Sequence, residues 1–358
     1  MAKKLAFDKW LFTVVILLTL FGLVMVYSAS TANAWGRGVN PFLFKQALAA
    51  ALGLMLMAVV MHLDYAWLRR QEFVYGVLGV TVALLVAVLF LPSLNNVHRW
   101  VVIGGLSFQP SELAKVAMVL YLAYQIHRKR ETLNQLNCLL PCAVVMGLIS
   151  GLILIEDLGT GGLLLATGGL LLFLAGLSWR IVAGAAMVLV PVLVISVVAV
   201  PYRMKRVFSF LDPDADRLGS GFQVSQSLIA VGSGGWHGLG PGQSMQKLYF
   251  LPHPESDFIF SIICEELGLL GALAVLALFG VLMWRGLRAG RRAPDDFGTY
   301  LAWGLTALLG IQALSHVSVA LALLPATGVP LPFISYGGSS LVVTLIISGL
   351  LLNVSQHS

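Results

Sequence analysis

Apolar residues run along this chain in blocks rather than in alternation. Ten blocks are long enough for a bilayer-crossing helix of roughly 20 residues: about 10–28, 42–61, 74–91, 111–126, 138–155, 158–175, 181–200, 258–283, 299–323 and 337–353. Backbone N–H and C=O groups find no partner in hydrocarbon, so each block is expected as a helix that closes its own hydrogen bonds. Only Glu156-Asp157 divides the fifth block from the sixth, which implies a tight hairpin. The connection between the seventh and eighth blocks, about 201–257, is far longer than an ordinary one, and long ordered connections tend to carry function. The pattern predicts an all-α polytopic membrane protein. It forms one unit over 1–358, with about ten transmembrane helices and a long extracytoplasmic loop between helices seven and eight.

Composition agrees. Of 358 residues, 58% are hydrophobic and 11% charged, against about 25% charged in a soluble domain. The net charge of +6 invites a nucleic-acid reading, but charge position overrules it. With the N-terminus in the cytoplasm, thirteen Lys and Arg fall at the cytoplasmic ends of the blocks, including Lys3, Lys4, Lys9, Arg69, Arg130 and Arg285. The short loops on the other side hold only Arg37 and Arg99. This is the positive-inside bias of a multi-pass protein of the cytoplasmic membrane, so both termini are expected inside and no nucleic-acid partner is implied. The first block, Trp10 to Tyr27, exceeds the apolar core of a cleavable leader and reads as a retained span. Cys138, Cys142 and Cys264 lie in apolar runs and read as small hydrophobes.

An ionisable residue at mid-span costs about 2.5–3.5 kcal/mol, so each one is a candidate for function. Lys45, Glu112, Lys115, Glu265, Glu266 and His316 qualify. In FQPSELAK (Phe108–Lys115), Pro110 suits a first helical turn, Glu112 follows at the positive helix end, and Lys115 shares its face. These two charges form either a local ion pair or the wall of a cavity that opens outward. In LPHPESDFIFSIICEELG (Leu251–Gly268), Pro252 and Pro254 delay the helix to about Ser256 or Asp257, with Ser256 as N-cap. On helical geometry Glu265 stands about 80° round from Asp257 and Glu266 about 180°, both roughly 12–14 Å deeper. Asp257 can then face a surface cavity while Glu265 or Glu266 pairs inside with a cation such as Lys115 or Lys45. The glycine-rich GSGFQVSQSLIAVGSGG (Gly219–Gly235) has no phosphate-loop lysine, so its glycines imply turns and close packing. Gln223 to Val231 reads as a short amphipathic helix on the membrane surface. The seven histidines show no catalytic-triad context and no metal-ligand spacing. No cofactor is required; a divalent cation, Mg or Mn, at a substrate diphosphate is compatible with the sequence.

Several stretches together carry a resemblance: MVYSAS (Met25–Ser30), HRWVVIGGLSFQPSELAK (His98–Lys115), EDLGTG (Glu156–Gly161), FLDPDADRLGSGFQ (Phe210–Gln223), AVGSGG (Ala230–Gly235), QKLYFLP (Gln246–Pro252), SDFIF (Ser256–Phe260), EELGLLG (Glu265–Gly271) and GVPLPFISYGGSS (Gly328–Ser340). In these, end to end, the chain resembles the SEDS family of peptidoglycan glycosyltransferases. The resemblance implies ten membrane helices and the polymerisation of lipid II into glycan strands on the outer face of the cytoplasmic membrane, with undecaprenyl diphosphate released. It implies Asp257 as the catalytic carboxylate and a role in activity for Trp100. The implied partner is a class B penicillin-binding protein, the cross-linking transpeptidase, among other divisome or elongasome membrane proteins. Two departures stand out. HPESD places His253 and Glu255 in swapped order relative to the family, with Ser256 for Thr, and the ninth span carries His316, Ser318 and Ala322 where the family has Asn and glycines. QKLYFLP and DPDADRLGSGFQ point to the FtsW-like division branch. The compact ends also suit the RodA-like elongation branch.

The implied reaction needs a base for an acceptor hydroxyl and cations for a diphosphate leaving group. Asp257, beside Phe258 and Phe260, fits the base. Arg99, Lys247 and Lys115 fit the diphosphate. Trp100 suits stacking on a sugar or an interfacial anchor. Ser111, Glu112, Gln246 and Ser339 complete the expected substrate-binding set. Glu265 and Glu266 are expected to organise the bundle or line its cavity. Two other classes remain in view: a lipid II flippase or transporter, for which intramembrane acids would be the working parts, and a scaffold that only recruits the transpeptidase.

Overall fold

A computed structural model describes residues 7–31, 40–91, 99–103, 106–212, 220–248 and 250–357. Lys3, Lys4, Arg37 and His98 lie outside the described residues, as does part of the FLDPDADRLGSGFQ stretch. Helices occupy all ten expected blocks: α1 Lys9–Ala29, α2 Pro41–Met61, α4 Gln71–Leu89, α5 Pro110–Lys129, α6 Leu136–Glu156, α7 Leu158–Leu174, α8 Trp179–Val198, α11 Ile259–Arg291, α12 Asp296–Ala320 and α13 Gly338–Gln356. Shorter helices add α3 Tyr65–Leu68, α9 Pro201–Leu211 and α10 Ser220–Ser233. Among the described residues, eight of the helices are long and apolar enough to cross a membrane, by length and composition. One element departs from the all-α expectation. Val101–Ile103 (β1) and Leu106–Phe108 (β2) form a small antiparallel hairpin just before α5.

The helix starts follow local chemistry. Asp8 accepts from the Leu11 amide, and Asn40 accepts from the Phe42 and Leu43 amides ahead of a first-turn Pro41. Asp157 ends α6 and caps α7 through the Thr160 amide at 3.1 Å, so one residue makes the hairpin that the sequence implied. Asp295 caps α12 through the Gly298 amide.

Helices α5, α12 and α13 form the interior, and their faces are mostly buried. α13 packs along α2, α12 along both α5 and α11, and α6 along α7. Small and polar residues hold these seams, as is usual where helices meet without a hydrophobic drive between them. Asn353 donates to the carbonyls of Val60, Met61 and Leu63, which ties the end of α2 to α13. α8 is the opposite case: it has no buried residue, and Met187 is 78% exposed. At the Arg-rich end of the bundle, Asp295 meets Tyr65 and Arg69, Arg130 meets Asp296, and Arg285 meets Asp8. Burial works against the Asp295 charge, but the Tyr65 hydroxyl, the Gly298 amide and the Arg69 charge outweigh it and hold the carboxyl below its usual value.

Candidate active site

Asp257 lies at the other end, in a turn rather than in a helix. His253 takes a left-handed φ of 51°, and its carbonyl accepts from the amides of Ser256 and Asp257. α11 then begins at Ile259 with no side-chain cap. This corrects the expected Ser256 cap: the Ser256 amide is engaged within the turn, and its carbonyl accepts from Ser335. A second loop closes over this turn. Ser335 Oγ donates to Ser256 O at 2.7 Å, the Tyr336 amide donates to Glu255 O at 2.8 Å, and Phe333 is held at φ 65°. Gln46 of α2 clamps that loop from behind through Ser335 O and the Gly337 amide. Left-handed conformations at non-glycine residues cost of order 1–3 kcal/mol each and persist only where surroundings enforce them. Here they flank one half-buried carboxylate. A Cβ at Gly328 would lie 3.9 Å from Asp257 Oδ2, so the 325–330 segment passes directly beside that carboxylate.

Side chains from α12 hold this segment. Gln312 donates to Pro330 O, and His316 Nδ1 lies 2.9 Å from Val329 O. A carbonyl only accepts, so Nδ1 carries a proton, and Nε2 is buried and unpartnered among the described residues. His316 and Asp257 both lie against the 328–329 segment. Glu255 stands next to Asp257 but is only 5% exposed. Burial first, and then the Asp257 charge, push its carboxyl up, while His253 opposes the rise.

The expected substrate contacts separate into two groups. Arg99, Trp100, Ser111 and Ser339 gather near the hairpin. Arg99 lies 3.5 Å from Asp157, donates to Glu156 O, and shares a narrow crevice with Ser111. Ser339 donates to Ser107 O and accepts from the Gln109 amide, fixing β2 to the start of α13. Trp100 is half-buried at the mouth of β1. Glu112, Lys115 and Lys247 instead lie inside the bundle. Lys115 Nζ is 2.9 Å from both Glu112 oxygens and 3.1 Å from Gln312 Oε1, and 1% of Lys115 is exposed. The ion pair is therefore the observed alternative, and through Gln312 it supports the segment beside Asp257.

The pairing expected for Glu266 is corrected. Its partner is Lys247 at 2.8 Å, with Ser28 and the Gly242 amide, and not Lys115 or Lys45. Glu265 accepts from Ser244 and from the amides of Met245 and Gln246. The reason is a break in α11. Gly268 sits at φ 66°, which frees backbone groups on both sides, and these must pair because their surroundings are apolar. The segment after α10 fills the gap: Leu239 and Gly240 donate to Glu265 O and Glu266 O, while Leu269 and Leu270 donate to Gly235 O and Trp236 O. Gly238 allows the approach, since a Cβ there would lie 2.1 Å from Glu266 O. Helix α10 also departs from a free surface helix: Ser227 is buried and bonds Ser261 and Ala320 O.

Sequence reasoning passed over Arg203 and Arg206. They follow Pro201 on α9 and line a cleft of about 230 Å³ with Arg99 and Thr327, the residue before Gly328. The available signal was their spacing of three on a short helix. Among the described residues, no three of His, Cys, Asp and Glu converge as a metal cage would.

Residues 8–358 match the FtsW/RodA/SpoVE cell cycle protein family model. The chain belongs to the FtsW/RodA/SpoVE family. It is 38% identical to a probable peptidoglycan glycosyltransferase FtsW of Geobacter sp. (strain M18), covering 100% of this chain and 99% of that one. It is 39% identical to stage V sporulation protein E of Bacillus subtilis (strain 168), with 99% of each covered. A solved peptidoglycan synthase complex that coordinates polymerization and crosslinking contains a chain of the same fold: TM-score 0.81, 33% identity, 98% of each covered. The rod shape determining protein RodA of Thermus thermophilus matches with TM-score 0.73 and 28% identity over 98% of this chain and 97% of that one. The protein is thus an integral membrane protein of the SEDS type.

Proposed function

We propose that this chain is a peptidoglycan glycosyltransferase that polymerises lipid II on the outer face of the cytoplasmic membrane, releases undecaprenyl diphosphate and serves septal wall synthesis. The observation that carries the reading is the setting of Asp257: a half-buried carboxylate in a strained turn, beside Gly328 and next to a cleft lined by arginines. Relatives over the full length that are named peptidoglycan glycosyltransferase support it.

In this reading Asp257 takes the proton of the acceptor sugar hydroxyl as that oxygen attacks the anomeric carbon of the donor. The bond to the diphosphate breaks, and the leaving group departs with the electron pair. Positioning supplies much of the rate, because a base within hydrogen-bond reach of its proton avoids a bimolecular encounter. The strained turns and the Gln46, Gln312 and His316 clamps keep the carboxylate and the Gly328 segment in fixed relation. A divalent cation, Mg or Mn, at the diphosphate would take most of its ligands from phosphate oxygens and water. Asp257→Asn is expected to insert normally and bind lipid II yet polymerise none, read by gel analysis of glycan products from purified protein. Full turnover by that variant would sink the assignment.

The partner is proposed to be a class B penicillin-binding protein, by analogy with the solved synthase complex. The likeness to RodA favours a second reading, polymerisation for cell elongation. Stimulation by a division transpeptidase but not by an elongation one separates the two.

A further inference from the structure

The cleft beside Thr327 gathers three arginines, Arg99, Arg203 and Arg206, on a wall that also carries Glu156 and Asp157. Arg203 donates to the carbonyls of Ser196, Leu154 and Ile155. Arg206 donates to Ala326 O and to the Tyr202 hydroxyl, and lies over the Tyr202 ring. These partners are neutral. They fix the two guanidinium groups in place without reducing their charge, and among the described residues neither group meets a carboxylate. A guanidinium has five N–H donors, so each keeps free ones after these bonds. Arg99 is the exception, since Asp157 pairs with it. An adjoining cleft of about 290 Å³ shares Tyr202 and Arg206 and adds Lys205, with no acid among the described residues that line it.

Two features specify the ligand. The charges are preorganised and planar, which suits the paired oxygens of phosphate groups. The facing wall is apolar, with Ile155, Val197 and Val200, and Val197 belongs to α8, the helix with no buried residue. A molecule that fits both has an anionic phosphate head and a long hydrocarbon tail that leaves sideways along α8. The cleft ends at Thr327, adjacent to Gly328 and so to Asp257. Resting on the polymerase reading above, we propose that Arg203 and Arg206 bind the diphosphate of a polyprenyl-linked substrate or product in this cleft, with its tail along α8.

The plain alternative is that Arg203 only caps the carbonyl ends of α6 and α8 and Arg206 only ties α9 to Ala326 O. A binding assay separates the two. Purified protein in phosphatidylcholine nanodiscs is titrated with undecaprenyl diphosphate, undecaprenol, inorganic pyrophosphate and phosphatidylglycerol, with binding read by native mass spectrometry. Losing a charged hydrogen-bond partner is expected to weaken undecaprenyl diphosphate binding about tenfold or more in Arg203→Gln and in Arg206→Gln. Arg206→Lys is expected to recover part of the loss. Lys205→Gln, at an exposed side chain, tests the same charge without touching packing and is expected to weaken binding less. Undecaprenol should bind weakly and be indifferent to these changes. Pyrophosphate should compete and phosphatidylglycerol should not. Unchanged diphosphate binding in both glutamine variants, or equal competition by phosphatidylglycerol, overturns the proposal. The outcomes for the cleft and for the polymerase are distinguishable. If Asp257→Asn alone abolishes polymer while the arginine variants bind normally, the cleft assignment falls and the polymerase stands. If the parent makes no polymer yet binds undecaprenyl diphosphate through these arginines, the polymerase reading falls and the cleft stands.

Discussion

Glu255 gives the swapped HPESD motif a physical reading. The carboxyl is buried, one of its oxygens has no partner among the described residues, and its neighbour Asp257 repels its charge. Its folded pKa therefore lies above the ordinary 4.5. Between those two values the folded state binds more protons than the unfolded one, so stability is full below 4.5 and falls as pH rises through the folded value. Glu255→Gln should remove that slope, as read by detergent thermal melts from about pH 4.5 upward; an unchanged slope would show that the group does not titrate as described. Asp257 was marked at this scale, by the resemblance its motif carries. Arg203 and Arg206 were not. In the sequence they are loop charges on the side where the topology rule gives charge little weight, and only the fold of α9 against the 325–327 segment turns them toward a cleft.

Among the elements, the seam between α11 and the segment after α10 bears the most polar chemistry. Lys247 and Glu266 are both nearly fully buried there. Removing one member of such a pair strands the other, at a cost of about 3–5 kcal/mol. Lys247→Met is expected to lose roughly that much in chemical unfolding, and Lys247→Met with Glu266→Gln to recover a good part of it; a single variant as stable as the parent would refute the buried pair. The ten helical blocks were legible because hydrocarbon permits little else, although α11 runs on to Arg291, past the expected end near 283. The partner of Glu266 was not, because helical spacing gives the face an acid occupies but not which distant segment reaches it. Helix α10 shows the same limit. Its amphipathic pattern was visible, yet Ser227 buries against Ser261 only because α11 lies beside it.

At the scale of the molecule, the charge pattern proposes an orientation. Native Cys138, Cys142 and Cys264 are buried, which leaves a low background for labelling. Gln243→Cys at the Asp257 end should react with a membrane-impermeant maleimide in intact cells, while Asn134→Cys at the other end should react only after lysis; the reverse pattern would invert the topology. Sequence alone determined the class of this protein, its helical blocks and the carboxylate at the centre of its proposed chemistry. The class and the blocks follow from local facts, bilayer thickness and backbone hydrogen bonding, and the carboxylate is marked by the resemblance its motif carries. Tertiary structure alone decided the rest. It buried Glu112 and Lys115 together, gave Glu266 to Lys247, and set the Gly328 segment beside Asp257 and an arginine cleft beside that segment. Such pairings join residues tens to hundreds of positions apart, so they depend on how the helices pack and on where Gly268 breaks α11, which no local pattern encodes.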